Sequence, residues 1–432
     1  MMTDFPPLPR YQFEIGQELN YLSTSKFCYE GGEEHAVVEW NIWPLARNDD
    51  GSWRILQRER IWHGADLEAV LDKADDRCAN LIFFDMFPDG HTVMQPCFET
   101  EIDPRQIFPR LPSDVRAFNS DWQGFGPMDE KHTYRVECGA RGSAKLSIQG
   151  VKTSPVQEVD LATAEATYQF NVALRLVDQV NFACRQEYGF AGTVTGSTVL
   201  VSADRRDAAW VALLRQESEA YFAAAEEHRK RVRRATRCAD EAKRLLAEAR
   251  CVWGALAGAV AHPVFKSQAN ARLKSHDSIT EQVVDESQRR AQTIGQQGPE
   301  FCATDLDGRR HSLRDYRGRI VVLDFWYRGC GWCLRAMPQI NELARSLENR
   351  PVVVLGVSVD RDVSDTRSVA EKLRLVYPCL SAMDLAERFH VRGFPTVVVI
   401  DKKGIVRDRY VGYTPTFAAE IAAQIERLLA ED

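Results

Sequence analysis

Two cysteines separated by two residues, Cys330 and Cys333, are the residues whose types and spacing most directly suggest chemistry. They follow an apolar run from Ile320 to Trp326, typical of a buried strand, and they precede the apolar spacing of a helix. At the start of a helix, unpaired backbone N–H groups and the positive end of the helix dipole stabilise a thiolate. We therefore predict that Cys330 is the attacking sulfur and that Cys333, one turn later, closes an intramolecular disulfide.

The cysteine pair has two alternative interpretations, as unlinked buried thiols or as half of a zinc site. A zinc site needs further cysteine or histidine ligands at suitable spacing. Residues 297–432 contain no second Cys-x-x-Cys and no Cys/His pair. We therefore expect no metal and no cofactor other than the redox-active cysteine pair itself.

Asp324 is a lone carboxylate inside the apolar run that ends at Trp326. Because burial of an ionised carboxyl group is costly, a buried Asp324 should have a raised pKa. Its carboxyl group would then lie near the cysteine pair. The alternative is that Asp324 turns outward and only accepts hydrogen bonds. Trp326 and Trp332 are predicted to form walls of the site, although Trp326 could equally be a core residue.

The composition is that of a globular chain with an acidic balance. The 432 residues are 44% hydrophobic, and the formal net charge of −7 argues against a dedicated nucleic-acid binder, which needs a cationic surface. The first ten residues lack the basic start and apolar core of a signal peptide, and the apolar run 252–261 is too short to span a membrane. The eleven cysteines are scattered, unlike those of a disulfide-stapled scaffold. We expect a cytoplasmic protein without a membrane partner, or an exported one if the true start lies upstream.

Residues 1–203 show the alternation of apolar and polar residues that is typical of half-buried strands. Hairpin turn signals lie between these runs, at Asn48-Asp-Asp-Gly51 and at Pro88-Asp-Gly90. We predict an antiparallel β sandwich or barrel, formed either as one domain or as two sub-blocks, 10–102 and 128–202. The sequence indicates no function for this region.

Residues 204–294 have the apolar spacing of helices and are predicted to form a coiled-coil-like helical connector. Its alanine-rich seam favours either a helix hairpin or a homodimer through the 204–260 helix. We predict that Pro263 ends this helix and that the capping box Ser278-Ile-Thr-Glu281 begins another. The cationic run 228–237 has carboxylates at i, i+4 spacing, which favours a solvated helix face over a nucleic-acid site.

Residues 295–432 alternate strand and helix patterns and end with a hairpin around Lys402-Lys-Gly404, followed by an amphipathic helix. This order predicts an α/β domain with helices on both faces of its sheet. The whole chain is therefore predicted to be a multidomain α+β protein.

Residues 297–432 also resemble the thioredoxin fold and, within it, the TlpA/ResA-like redoxin family. The resemblance rests on an ordered set of positions: Trp326 before the Cys-x-x-Cys pair, Pro338 after it, and the segment Gly393-Phe-Pro395-Thr. One Cys-x-x-Cys alone is a weak signal, whereas this ordered set is specific.

The resemblance implies roles for several residues. Asp324 would relay the proton to and from the second cysteine. Pro395 would be cis, and the backbone of Phe394 would face Cys330 and pair with an extended substrate segment. The alternative for Pro395 is a trans-proline in an ordinary loop.

The sequence departs from the family between the two cysteines, where Gly331-Trp332 replaces a dipeptide that usually ends in proline. The direction of the redox reaction therefore stays open. The strand from Val352 to Asp360 also has no lysine to partner Asp324, whereas thioredoxin has one for its buried acid. Residues expected to contact the substrate are Trp326, Gly331, Trp332, Phe394 and Pro395.

The predicted function is that of a thiol-disulfide oxidoreductase whose Cys-Gly-Trp-Cys couple reduces protein disulfides. Its expected partners are a protein disulfide substrate and an external electron donor. One alternative is a partner-binding or scaffold protein with a regulatory redox domain. Another is a thiol peroxidase, although those enzymes use a lone peroxidatic cysteine rather than a vicinal pair.

Overall fold

The computed structural model describes residues 8–64, 79–94, 104–112, 120–125, 131–138, 145–154, 162–186, 192–414 and 416–431. The chain divides into two compact units. Of the described residues, the first unit comprises those within 8–234 and 243–281, and the second comprises 235–242 and those within 282–431.

The first unit is built on antiparallel strands. They are β1 Gln17–Tyr29, β2 Gly32–Arg47, β3 Trp53–Gly64, β4 Asn80–Met86, β5 Thr92–Met94, β6 Trp122–Phe125, β7 Lys131–Cys138, β8 Lys145–Ser154, β9 Ala162–Asn171, β10 Leu176–Gln186 and β11 Gly192–Arg205. All eleven join in one sheet with the order β5-β4-β3-β2-β1-β11-β10-β9-β8-β7-β6. The predicted antiparallel β region is confirmed at this level.

Neither a closed barrel nor two separate sheets is found in the strand pairing of the described residues, because β5 and β6 are the two ends of one sheet. The long pairing of β1 with β11 joins the early strands to the late ones. An alternating pattern shows that a strand is half-buried, but it does not specify which strand lies beside it.

Three helices of the first region follow the sheet: α1 Ala208–Arg237, α2 Ala242–Ala259 and α3 Pro263–Thr293. Their apolar side chains, such as Tyr221, Trp253 and Phe265, share a buried cluster with Trp43 and Phe83 of the sheet. The apolar seam of α2 is therefore packed on the sheet within this unit. The homodimer through the 204–260 helix stays a prediction.

The predicted helix boundaries in this region are wrong at three positions. The single helix predicted over 204–260 is interrupted, because α1 ends at Arg237 and α2 begins at Ala242. Pro263 begins α3 instead of only ending the preceding helix, since the first helical position needs no N–H donor. Ser278 lies inside α3, and its hydroxyl donates to the backbone carbonyl of Ser275. A capping-box pattern can therefore occur in a helix interior when the flanking residues keep the helix continuous.

The second unit contains a hairpin and a five-stranded sheet. Its elements are β12 Cys302–Thr304, β13 Arg310–Ser312, β14 Ile320–Trp326, α4 Gly331–Ser346, β15 Val352–Ser358, α5 Val363–Lys372, β16 Cys379–Ser381, α6 Met383–Arg388, β17 Thr396–Ile400, β18 Val406–Val411 and α7 Phe417–Ala430. The sheet order is β16-β15-β14-β17-β18, with β14 central. The predicted α/β domain is confirmed.

Strand β14 runs parallel to β15 and antiparallel to β17, and every one of its residues is buried. This double-sided burial explains the continuous apolar run that the sequence shows. In the described part of the chain, no helix is both long enough and apolar enough to cross a membrane.

Candidate redox site

The two cysteines lie where the central strand β14 leads into helix α4. Cys330 is the N-cap residue of α4, and its Sγ accepts a hydrogen bond of 3.1 Å from the backbone N–H of Cys333. The two sulfur atoms form a disulfide whose Cα atoms are 5.2 Å apart. The cysteines are therefore neither unlinked thiols nor an open half of a zinc site.

The N–H of Cys333 and the positive end of α4 are both directed at Cys330. In the reduced protein the same arrangement stabilises a thiolate on Cys330, because its sulfur accepts the N–H and neighbours the helix N-terminus. Cys330 is 6% exposed, whereas Cys333 is 1% exposed. Cys330 is thus the more exposed residue of the pair.

Asp324 is a buried carboxyl group in β14, only 1% exposed. Burial raises its pKa to about 7, while the hydroxyl of Tyr377 donates a 3.2 Å hydrogen bond to Asp324 Oδ2 and partly opposes this rise. Burial also raises the pKa of Tyr377 well above its usual value, so the phenol stays protonated as the donor. The alternative that Asp324 turns outward is wrong.

The effect of this hydrogen bond can be tested with Tyr377→Phe. Because the hydroxyl stabilises the ionised carboxyl group, its removal is expected to raise the pKa of Asp324 by about one unit. The measurement is an NMR titration of the Asp324 side-chain carbon.

The matched control is Tyr410→Phe, which removes another buried tyrosine whose hydroxyl donates to a carboxylate, that of Asp408, at 3.0 Å. It should leave the titration of Asp324 unchanged. Coincident titrations of Tyr377→Phe and the unmodified protein would contradict the assignment of Tyr377 as the partner of Asp324.

Gly356 in β15 lies against the buried groups that surround Asp324. It lies opposite Asp324 in the β14–β15 register. A Cβ atom at Gly356 would approach Cys379 Sγ, Trp326 Nε1 and a ring carbon of Tyr377 to 3.1 Å each, closer than ordinary contact. Only glycine therefore fits without a shift of these neighbours.

Cys379 is a third cysteine near Gly356, but it is buried and unlinked. Burial, together with the nearby carboxyl group of Asp324, raises the pKa of its thiol to about 12. A thiol that stays protonated at neutral pH is a poor nucleophile. These properties favour the interpretation of Cys379 as a core residue over an additional resolving thiol.

The two tryptophans near the pair have different environments. Trp326 is 0% exposed and lies beneath the site, so it is a core residue and offers no surface to a substrate. Trp332 is 41% exposed and stacks on Tyr413 with ring centroids 6.0 Å apart. The guanidinium of Arg335 lies 5.0 Å from the ring centroid of Trp332. Gly331, beside Trp332, is also exposed.

The loop before β17 contains Phe394 and Pro395. The peptide bond between Phe394 and Pro395 is cis. The half-buried ring of Phe394 meets the exposed ring of Tyr327 edge-on at 5.3 Å. Since Tyr327 begins the turn that leads to Cys330, this contact places the loop beside that turn.

Sequence reasoning missed Tyr377, Gly356, Arg335 and Tyr413. Tyr377 and Gly356 lie far along the chain from Asp324, and Tyr413 lies far along the chain from Trp332. Arg335 is close to Trp332 in sequence, but nothing in the sequence around it indicates the contact. Within the described residues, no group of three or more histidine, cysteine, aspartate or glutamate residues is arranged to hold a metal ion.

The central strand, the N-capping cysteine, the Cys-x-x-Cys disulfide and the cis-proline loop together define a thioredoxin-like redox domain. Residues 294–409 match the model of the AhpC/TSA family. The family model does not extend into the region before residue 294.

The match to this domain covers most of the length of two curated relatives. The thiol-disulfide oxidoreductase ResA of Geobacillus thermodenitrificans (strain NG80-2) is 34% identical over 128 residues, which are 29% of this chain and 74% of ResA. The thioredoxin-like protein YneN of Bacillus subtilis (strain 168) is 31% identical over 121 residues, 27% of this chain and 71% of YneN. Through its C-terminal domain, the chain belongs to the ResA-type family of thiol-disulfide oxidoreductases.

Among solved structures, the exposed lipoprotein thioredoxin Etrx1 of Streptococcus pneumoniae (strain TIGR4) is similar. It has 28% sequence identity to this protein and a TM-score of 0.28. The match covers 30% of this chain and 100% of Etrx1. Its curated relatives show that the protein is an oxidoreductase with a thioredoxin-like domain.

Proposed function

We propose that the Cys330–Cys333 couple reduces disulfides in protein substrates. The Cys330 thiolate attacks one sulfur of the substrate disulfide, forms a mixed disulfide and releases the other sulfur as a thiolate. Cys333 then attacks Cys330, which releases the second substrate thiolate and leaves the Cys330–Cys333 disulfide. Two electrons have passed to the substrate, and an external dithiol donor must return them.

The position of Cys330 at the N-terminus of α4 carries this proposal. Its sulfur accepts the Cys333 N–H, so the thiolate form is favoured at the more accessible cysteine. Asp324, with a pKa of about 7, is suited to accept the proton of the Cys333 thiol before the second attack. In the reverse direction it returns that proton.

The aromatic side chains around the cysteine pair favour a polypeptide substrate over a small molecule. Trp332 offers an exposed ring next to the cysteines, and Phe394 lies on the other side. An extended segment can pair with the backbone of Phe394 while its cysteine lies over Cys330, as strand-addition binding requires. We propose Gly331, Trp332, Phe394 and Pro395 as the substrate contacts and omit the buried Trp326.

We further propose that the first unit recognises or localises the partner, because it has a large sheet outside the family match. We likewise propose that the helical connector is coiled-coil-like and that the protein is cytoplasmic. The reducing direction depends on the location, since an electron donor must be present in the same compartment.

Reduction of insulin by the full chain, with dithiothreitol as donor, tests this proposal. We expect insulin reduction to be at least about tenfold faster than with dithiothreitol alone, and the Cys330→Ser variant to give only the background rate. No acceleration by the intact chain would contradict a protein-disulfide reductase. Faster oxidation of reduced insulin than reduction of oxidised insulin would reverse the direction.

A further inference from the structure

Arg409 in β18 is a buried cation whose hydrogen bonds join distant parts of the second unit. Its side chain is 0% exposed. Its Nε donates to Glu286 Oε1 at 2.7 Å, and its two terminal nitrogens donate to the backbone carbonyls of Phe389 at 2.7 Å and His390 at 2.9 Å. A buried guanidinium is tolerated only when it is paired in this way.

The carboxylate partner comes from outside the family domain. Glu286 lies in α3, before the matched residues 294–409, and it belongs to the same compact unit as Arg409. One turn later in α3, Arg290 donates to the Asp408 carboxylate and to the backbone carbonyl of Arg409. The end of α3 is therefore attached to β18 by two adjacent arginine–carboxylate pairs.

The carbonyls that Arg409 holds lie at the end of α6, immediately before the cis-proline loop. His390 has a positive φ of 53°, an uncommon conformation for a residue with a side chain. The next residue, Val391, donates to the Ala386 carbonyl and closes the helix end. The chain then continues directly to Phe394, so the direction in which the loop leaves α6 depends on this turn.

We propose that Glu286 is a positioning residue for substrate binding: through Arg409 it fixes the turn at Phe389–His390 and thereby the cis-proline loop beside Cys330. This inference rests on the proposed function, which assigns that loop to the substrate. It makes the end of α3 a working part of the redox domain, although it precedes the residues that the family shares. A loosened turn should weaken the binding of an extended polypeptide, whereas a small disulfide that needs only Cys330 should react as before.

The test uses full-length Glu286→Gln, which keeps the side-chain shape but removes the charge that pairs with Arg409. The control is Asp285→Asn, because Asp285 is the adjacent residue of α3 and its exposed carboxylate pairs with Arg289, at 3.9 Å, instead of with Arg409. Steady-state kinetics are measured with insulin and with 5,5′-dithiobis(2-nitrobenzoic acid) as a small disulfide. We expect Glu286→Gln to raise the KM for insulin about tenfold and to change the rate with the small disulfide less than about twofold. Asp285→Asn should change neither.

An insulin KM of Glu286→Gln equal to that of Asp285→Asn would overturn the inference. If Glu286→Gln does not fold, Arg409→Lys is measured in the same way, since lysine keeps the charge facing Glu286 but cannot hold both carbonyls. Arg409→Lys should then show the raised KM, and an unchanged KM, or failure of both variants to fold, would overturn the positioning role. Failure of the unmodified chain to reduce insulin would instead refute the proposed function, and it is measured first.

Discussion

A Cys333→Ser variant is expected to lose multiple-turnover activity by at least about a hundredfold and to accumulate as a mixed disulfide with its substrate through Cys330. The first attack needs only Cys330, which remains at the N-terminus of α4. Release of the substrate needs a second thiolate one turn further along the helix. A serine hydroxyl stays protonated at neutral pH, so the covalent intermediate is not resolved.

The experiment incubates reduced Cys333→Ser chain with insulin, blocks free thiols and identifies the linked peptides by mass spectrometry. The matched control is Cys302→Ser, which removes an exposed thiol in β12 that lies outside the redox site. The control should turn over normally and accumulate no adduct. An adduct at a cysteine other than Cys330, or full activity of Cys333→Ser, would contradict the assigned order of attack.

Asp324→Asn is expected to stabilise the oxidised second unit at alkaline pH. The folded protein has a pKa of about 7 at Asp324, against an ordinary value of 3.8, so between these values the folded state binds the proton more tightly than the unfolded state. The free energy of unfolding therefore falls as pH rises through this window. At pH 8 the loss is on the order of 4 kcal/mol, and asparagine, which does not titrate, should recover most of it.

The measurement is pulse proteolysis in urea at pH 4 and pH 8, read from peptides of residues 295–432. The variant and the unmodified protein should be similar at pH 4, and the variant should be clearly more stable at pH 8. The exposed Asp384→Asn serves as control and should show no such change, since its carboxylate is largely solvated. Turnover of Asp324→Asn should fall, because asparagine cannot accept the proton of Cys333.

Equal stability of Asp324→Asn and the unmodified protein at pH 8 would show that Asp324 is not held with a raised pKa. An unchanged turnover rate would separately reject its role in proton transfer. The combination of greater stability and slower turnover is specific to a buried acid that is kept for its chemistry rather than for the fold.

The sequence predicts the chemistry of the site well because that information is local. An apolar run, a turn with glycine and the start of a helix place Cys330 at an N-cap within a few residues. The burial of Asp324 follows in the same way, since apolar residues flank it on both sides. No distant contact is needed for either prediction.

The partner of Asp324 could not be predicted, because Tyr377 is 53 residues away and reaches the carboxyl group through the packing of neighbouring strands. The link from Glu286 to Arg409 is separated by 123 residues and has the same origin. A sequence pattern shows that a residue is buried, but only the order of strands decides which buried groups meet.

The first unit shows the complementary limitation. Alternating residues identified strands, but the pairing of β1 with β11, which makes one continuous sheet, has no local signal. In α3 a local signal was misleading, since Ser278 has the pattern of a helix start and lies in a helix interior. Local propensity was outweighed there by the continuous helix on either side.

Single-turnover disulfide mapping shows whether electrons pass to a substrate through the Cys330–Cys333 couple. Fully reduced chain is mixed with one equivalent of insulin, quenched with acid, alkylated and digested. We expect each insulin disulfide lost to be matched by one Cys330–Cys333 disulfide, while Cys302 and Cys379 are still recovered as alkylated thiols. Loss of insulin disulfides with Cys330 and Cys333 both recovered as alkylated thiols would contradict electron transfer through this couple.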